Sequence, residues 1–379
     1  MDSRFRDLTS LGIASVVTSA IGGVFWFFMA SSLGTEKYGE VSYLISIGVI
    51  TSTISLSGSA NTLIVYLAKG EKIQSTVFFI AIIASLISAA ALFLFININI
   101  EISIYVIGSV IFTLAISDLL GRKLYAEYSK YMITQKILLV GLALSMYYTI
   151  GFQGIILGIA LSFFPYSFLL YKEFRKAKLD FSIIKTRSGF MVNSYVLDLT
   201  NAFNGSLDKI LIAPIMGFAL LGNYQLGVQF MAVLSIIPGI IYNYTLPHDS
   251  SGNPNVFLKK LTIIGSVVLA VLSVVLAPVV LPTLFPTYNE SVQVIQIMSV
   301  SIIPATIVSM LVSKFLGSGN SKIVLIGSGV YLGSQIPTIL LLGMMFGVNG
   351  AASSIVIANG IQAIYFILIN RSQPRKQST

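Results

Sequence analysis

Apolar runs follow one another along the whole of this chain, parted only by short polar breaks. Each is about 20 residues long, the length a helix needs to cross a bilayer. In lipid every backbone N–H and C=O has to be satisfied within its own segment, so such runs fold as helices. They lie near 9–31, 41–67, 75–96, 103–121, 131–150, 154–171, 189–216, 221–246, 259–284, 291–315, 323–346 and 350–370. That is about twelve spans, with boundaries good to about two to four residues. Composition agrees: 55% of the 379 residues are hydrophobic and 10% charged, against about 25% charged in a soluble domain. The expected fold class is an all-α polytopic membrane protein, and no hydrophilic stretch is long enough for a separate soluble domain.

The first run follows Arg4 and Arg6 and could pass for a secretion signal. It is longer than a signal core and no clear small-x-small cleavage site follows, so it reads as the first span. The net charge of +9 does not point to nucleic acid, because the basic residues sit at the ends of the spans. Every lysine and arginine except Lys37, Lys136 and Lys209 falls at the N-terminus, at the C-terminus or in every second loop. Cytoplasmic loops carry such an excess. The alternation predicts an even number of spans with both termini in the cytoplasm.

With no cysteine and a single histidine, His248, disulfides, thiol chemistry and a histidine-based metal site fall away. No acidic motif stands on an aqueous loop, so no enzymatic activity is expected; a membrane glycosyltransferase would need one. No metal or organic cofactor is expected either.

The longest cytoplasmic loop, roughly 172–188, divides the chain into an N-terminal lobe, 1–186, and a C-terminal lobe, 187–379, each of about six spans. The two halves echo each other. Ala30-x-x-x-Gly34-x-x-x-x-Gly39 joins spans one and two, and Ala213-x-x-x-Gly217-x-x-x-x-Gly222 joins seven and eight. Gly151-x-x-Gly154 joins five and six, and Gly347-x-x-Gly350 joins eleven and twelve. A looser match sets Lys123 and Ser129-Lys130 beside Lys314 and Ser321-Lys322, one residue out of register. An even number of spans per half gives a parallel repeat about an axis along the membrane normal. Prolines within the spans, among them Pro165, Pro214, Pro238 and Pro304, read as kinks or as hinges.

One run is anomalous. Residues 188–217 are long enough to span, yet carry Asp198, Asp208 and Lys209 with Asn193, Asn201 and Asn204 between them. Each Asp or Lys at a helix centre costs about 2.5–3.5 kcal/mol on insertion scales. Ser194, Asp198, Asn201, Gly205 and Asp208 follow at steps of four and three and so share one face. That face is expected to line a water-filled cavity.

Further motifs resemble a known family. L-G-T-E-K-Y-G-E-V-S-Y-L-I-S-I after the first span, D-K-I-L-I-A-P-I-M-G-F-A-L-L-G-N-Y-Q-L-G after the central loop, and L-F-P-T-Y-N-E-S-V-Q-V-I-Q-I-M with the later G-S-G-N-S-K and G-V-N-G-A-A-S-S are similar to polysaccharide-export flippases. These belong to the multidrug/oligosaccharidyl-lipid/polysaccharide superfamily, many of whose members have fourteen spans. The resemblance covers most of the chain. It implies transbilayer movement of a polyprenyl-linked sugar by alternating access between two lobes in the cytoplasmic membrane. The partners it implies are the lipid-linked sugar, membrane lipids and polysaccharide-assembly enzymes, with no nucleic acid.

On that reading Lys209 contacts the anionic head. It reads equally as half of a structural ion pair or as a lysine reaching the outer interface. Asp208, its neighbour, is not an obvious partner, since adjacent helical positions diverge by about 100°. Asp198 and Asp208 are candidates for a coupling H⁺ or Na⁺, or else structural polar groups. Asn201, Asn204, Gln225 and Gln229 are candidate cavity residues for sugar hydroxyls. Ser52, Ser55 and Ser59, Gln293 and Gln296, and Asn359 and Gln362 form similar stripes that also suit helix packing. Asp118 and Arg122 stand four apart, as a helical ion pair. Lys136 lies near a span end, where its stem reaches the surface. A rival reading keeps the superfamily but makes the chain an ion-coupled antiporter of organic cations.

Overall fold

The computed structural model describes residues 3–95, 99–175, 179–251 and 253–372. Among them there is no strand, as a chain of apolar runs without paired partners requires. The helices are α1 (Ser3–Leu56), α2 (Ser59–Ala68), α3 (Gln74–Phe95), α4 (Ile100–Gly121), α5 (Tyr125–Ile150), α6 (Gln153–Leu161), α7 (Ser167–Phe174), α8 (Ser182–Met216), α9 (Phe218–Leu234), α10 (Ile236–Ser250), α11 (Val256–Leu284), α12 (Ser291–Val300), α13 (Ile302–Gly317) and α14 (Ser321–Ser372).

Eight helical segments among the described residues are long and apolar enough to cross a membrane, nine if the bent pair α9–α10 is one span. The number is below the expected twelve for two physical reasons. Helices α1 and α14 run on through a break, at Gly34 and Gly347, and each takes up two of the expected spans. Helix α8 covers the anomalous run, and its polar residues exclude it from an apolar count.

Contacts gather the chain into two compact units: Met1–Trp26 with Leu44–Ser206, and Phe27–Tyr43 with Leu207–Thr379. Helices α1 and α8 contribute to both. The core of the first unit joins α2, α3, α4 and α7 through Leu63, Tyr66, Phe78, Leu114, Tyr166 and Leu170. Close approach rests on glycine: a Cβ on Gly121 would meet the Leu63 carbonyl, and one on Gly158 would meet Leu142 and Ala143. At the polar edge Arg122 pairs with Asp118 at 3.0 Å, as the spacing predicts, and also with Glu173 of α7.

The core of the second unit joins α8, α9, α12 and α14 through Ile212, Leu221, Tyr224, Val294, Met298 and Ile339. The hairpin 27–43 is seated in this unit. Phe27 packs edge-on to Phe230 and against Phe285, and the Tyr288 hydroxyl donates to the Ala30 carbonyl at 2.8 Å. Its glycine makes the tightest contact. A Cβ on Gly39 would overlap the Phe218 carbonyl, and one on Gly222 would overlap the Thr35 carbonyl. The crossing is reciprocal: Gly39 lies on the residue after Gly217, and Gly222 on the residue after Gly34.

Backbone dihedrals repeat with the sequence. Gly34 has φ 70° and ψ 176°, Gly217 φ 85° and ψ 167°. Gly151 has φ 82° and ψ −159°, Gly347 φ 58° and ψ −141°. The looser match is re-registered. Lys123 precedes Gly151 by as many residues as Gly319 precedes Gly347, and these two, not Lys123 and Lys314, share a positive φ, of 60° and 78°. The same offset carries Tyr166 onto Gln362 and Tyr131 onto Gly327. Both pairs bond alike: the Tyr166 hydroxyl donates to the Tyr131 carbonyl at 2.8 Å, and Gln362 Nε2 to the Gly327 carbonyl at 3.1 Å.

Candidate functional site: a polar cavity in the first unit

Helix α8 is drawn onto the turn between α1 and α2 at Gly58. There φ is 77°, and a Cβ would overlap the Met191 carbonyl and crowd the Tyr195 nitrogen at 2.9 Å. That approach brings Asp198 to Asn61, whose Nδ2 donates to Asp198 Oδ1 at 2.9 Å. On α5, Gln135 is 2% exposed, and its Nε2 donates to Ser162 Oγ at 3.1 Å. Ser162 in turn donates to the Ile159 carbonyl at 2.6 Å. This chain of bonds fixes the rotation of α5 about its axis, and with it the direction of the next residue, Lys136.

Asp198, Asn201, Gln135 and Lys136 all line one cavity of about 670 Å³, every lining residue of which belongs to the first unit. Ser52, Thr53, Ser109 and Thr113 add hydroxyls. Trp26, Tyr105, Phe112 and Phe163 add aromatic surface. Tyr105 packs on Gly48, where a Cβ would fall 2.6 Å from the ring, and meets Phe163 edge-on at 5.8 Å. The cavity is thus walled by rings and floored by amides and hydroxyls. Its two charges, Lys136 and Asp198, do not pair with each other.

The expected polar face of α8 divides. Asp198 and Asn201 face this cavity, and Ser194 is buried. Asn204 Oδ1 is buried without a hydrogen-bond partner among the described residues. Asp208 and Lys209 belong to the second unit and lie 5% and 7% exposed. There Asp208 Oδ1 accepts from the Lys209 backbone N at 2.8 Å and from Lys209 Nζ at 3.2 Å. Asp208 Oδ2 accepts from the Tyr224 hydroxyl at 2.7 Å. The expectation that these neighbours would not be partners is corrected. A carboxylate that folds back onto the next backbone N–H is within reach of a four-methylene stem from that residue.

Lys136 corrects a second expectation, since it lines the cavity instead of serving only as an interfacial lysine. Sequence offered a signal for it: Gln135 and Lys136 form an adjacent polar pair inside an apolar run. Asn61 and the buried Asp249 were also passed over. Asp249 joins α10 to α11 and α13 by an ion pair with Lys259 and a 2.6 Å bond from Ser313 Oγ.

Gln225 and Gln229 lie on α9 in the second unit, Gln225 beside the Tyr38 hydroxyl. Gln293 and Gln296 tie helices together: Asn349 Nδ2 donates to Gln293 Oε1 at 2.7 Å, and Gln296 Nε2 to the Val274 carbonyl at 2.9 Å. Asn359 Nδ2 bonds within its own helix, to the Ile355 carbonyl at 3.0 Å. Ser52 and Ser55 bond back to Val49 and Thr51 of their own helix.

Helices long and apolar enough to cross a membrane, an internal repeat marked by matched glycine breaks and a polar cavity among the helices define the architecture of a polytopic membrane protein. Solved structures place it further. The chain matches the lipid II flippase MurJ in an inward closed conformation with a TM-score of 0.78 at 14% identity, over 97% of this chain and 88% of that one. It matches an inward-facing multidrug-resistance MATE transporter at 0.67 and 16% identity, over 96% and 97%. A further match, at 0.62 and 16% identity over 96% and 94%, is a transporter from Pyrococcus furiosus described by the reversed polarity of its binding pocket. The sequence matches no protein-family model, and no curated protein matches it. The chain shares the fold of these solved structures.

Proposed function

We propose that this chain is a flippase of the cytoplasmic membrane, moving a polyprenyl-linked oligosaccharide or polysaccharide precursor by alternating access between its two six-helix lobes, 1–186 and 187–379. The observation that carries the reading is the cavity of the first unit, where one lysine stands among amides, hydroxyls and aromatic rings. Sugars take neutral donors and acceptors along their edges and aromatic rings against their faces, and the phosphate that links them to lipid takes a cation. Lys136 makes the anionic contact that the family resemblance suggested for Lys209. Asn201 and Gln135 meet the sugar, with Asn204, Gln225 and Gln229 as further candidates. The tail stays in lipid while the head crosses. Asp198 is the cavity carboxylate open to a coupling H⁺ or Na⁺, whereas both oxygens of Asp208 are already engaged. Assembly enzymes for the polysaccharide supply the substrate and take up the product.

Asp198 favours a second reading, since a carboxylate among aromatic rings also suits an organic cation. Proteoliposomes separate the two. The wild type is expected to move a labelled lipid-linked sugar between leaflets, and Lys136→Gln to slow this at least tenfold, about 1.4 kcal/mol. No sugar movement by the wild type, together with proton-driven efflux of a cationic dye that Asp198→Asn abolishes, would establish the antiporter instead.

A further inference from the structure

Among the described residues, Lys136 stands midway along α5 and Lys209 is buried on α8. Lys209 is already neutralised by Asp208. That leaves Lys136 as the one cation among the described lining residues of the cavity, and the remaining charged one is Asp198. The rest of that polar lining is neutral: Ser52, Thr53, Ser109, Thr113, Gln135 and Asn201.

We infer that the cavity selects a head group with a single negative charge, a sugar joined to its lipid through one phosphodiester, over one joined through a pyrophosphate. The inference rests on the flippase reading and specifies its substrate. A phosphodiester carries one negative charge at neutral pH, which Lys136 balances. A pyrophosphate diester carries two. The second finds no cation among the described lining residues and meets the Asp198 carboxylate as a like charge. Repulsion between like charges inside a protein cavity is worth about an order of magnitude in affinity or more.

The chain carries its own reporter, since Trp26 is its single tryptophan and lines the cavity. Trp26 fluorescence of the full chain in lipid nanodiscs would be titrated with two short-chain probes, citronellyl phosphate-linked glucose and citronellyl pyrophosphate-linked glucose. The phosphate probe is expected to bind at least tenfold more tightly. Asp198→Asn removes the like charge and should tighten the pyrophosphate probe more than the phosphate probe. Lys136→Gln should weaken both, and a circular-dichroism spectrum and thermal midpoint like those of the wild type show that the fold tolerates the change. Equal or tighter binding of the pyrophosphate probe to the wild type would overturn the inference and leave the flippase reading standing. If neither probe binds, and a quaternary ammonium dye instead quenches Trp26 in a manner lost in Asp198→Asn, the flippase reading itself fails.

Discussion

At the scale of single residues, the two intramembrane lysines show how much a buried charge depends on its neighbours. Lys209 and Asp208 are removed from water together, and Tyr224 completes the carboxylate's bonding. Hydrogen bonds to a charged group contribute about 1.5–3 kcal/mol, and removing one donor leaves the other group underbonded. Tyr224→Phe is therefore expected to lower stability by about 2 kcal/mol, read as a lower thermal midpoint of the purified chain in detergent. An unchanged midpoint would mean that water replaces the hydroxyl and that the cluster is open. Sequence periodicity placed Asp198, Asn201 and Asp208 on one face, and they do follow one helix. It could not tell that the face serves two surroundings, because spacing along a helix says nothing of what packs against it. Lys136 was passed over for a related reason: its nearness to a span end suggested an exit to the surface, and only the packing of α5 against α6 turns it toward a cavity.

At the scale of elements, glycines set where helices end and how closely they cross. The glycine motifs were legible as turns, and the structure gives them a second role. Gly34 and Gly217 supply backbone breaks that a residue with a side chain rarely adopts, while Gly39 and Gly222 bring two hairpins into backbone contact. Gly222→Ala sets a methyl against the Thr35 carbonyl and is expected to cost about 1–3 kcal/mol. The loss would appear in thermal unfolding, and Gly205→Ala, at a position with open space around the missing side chain, serves as control. Equal midpoints for the two variants would show that the crossing is loose. The third repeat match was read four to five positions out of true because it was built on side-chain identity. The feature held in common is a positive φ, adopted by a lysine in one half and a glycine in the other.

At the scale of the whole molecule, apolar runs and basic loops made the class of fold legible. The span count did not follow directly, because continuous helices hide breaks and polar spans escape an apolar test. The absence of cysteine makes the topology directly testable. Single cysteines at Lys72 and Lys260, both exposed, are expected to react with a membrane-impermeant maleimide only from the cytoplasmic side. Cysteines at Glu36 and Asn99, also exposed, should react only from the outside. Labelling of Lys72 and Glu36 positions from the same side would break the alternation from which the topology is drawn.

The α5–α6 hairpin has a consequence for biosynthesis. A Cβ on Gly154 would overlap the Met146 carbonyl, and one on Gly350 the Leu342 carbonyl, each contact closing within a few turns of chain around a positive-φ glycine. Contacts so local form early, before distant segments exist to compete for them. As the nascent chain leaves the ribosome it therefore completes the same closed hairpin twice. The first is finished before the anomalous polar helix has been translated, so a partly built platform already stands in the membrane when α8, the costliest span to insert, arrives.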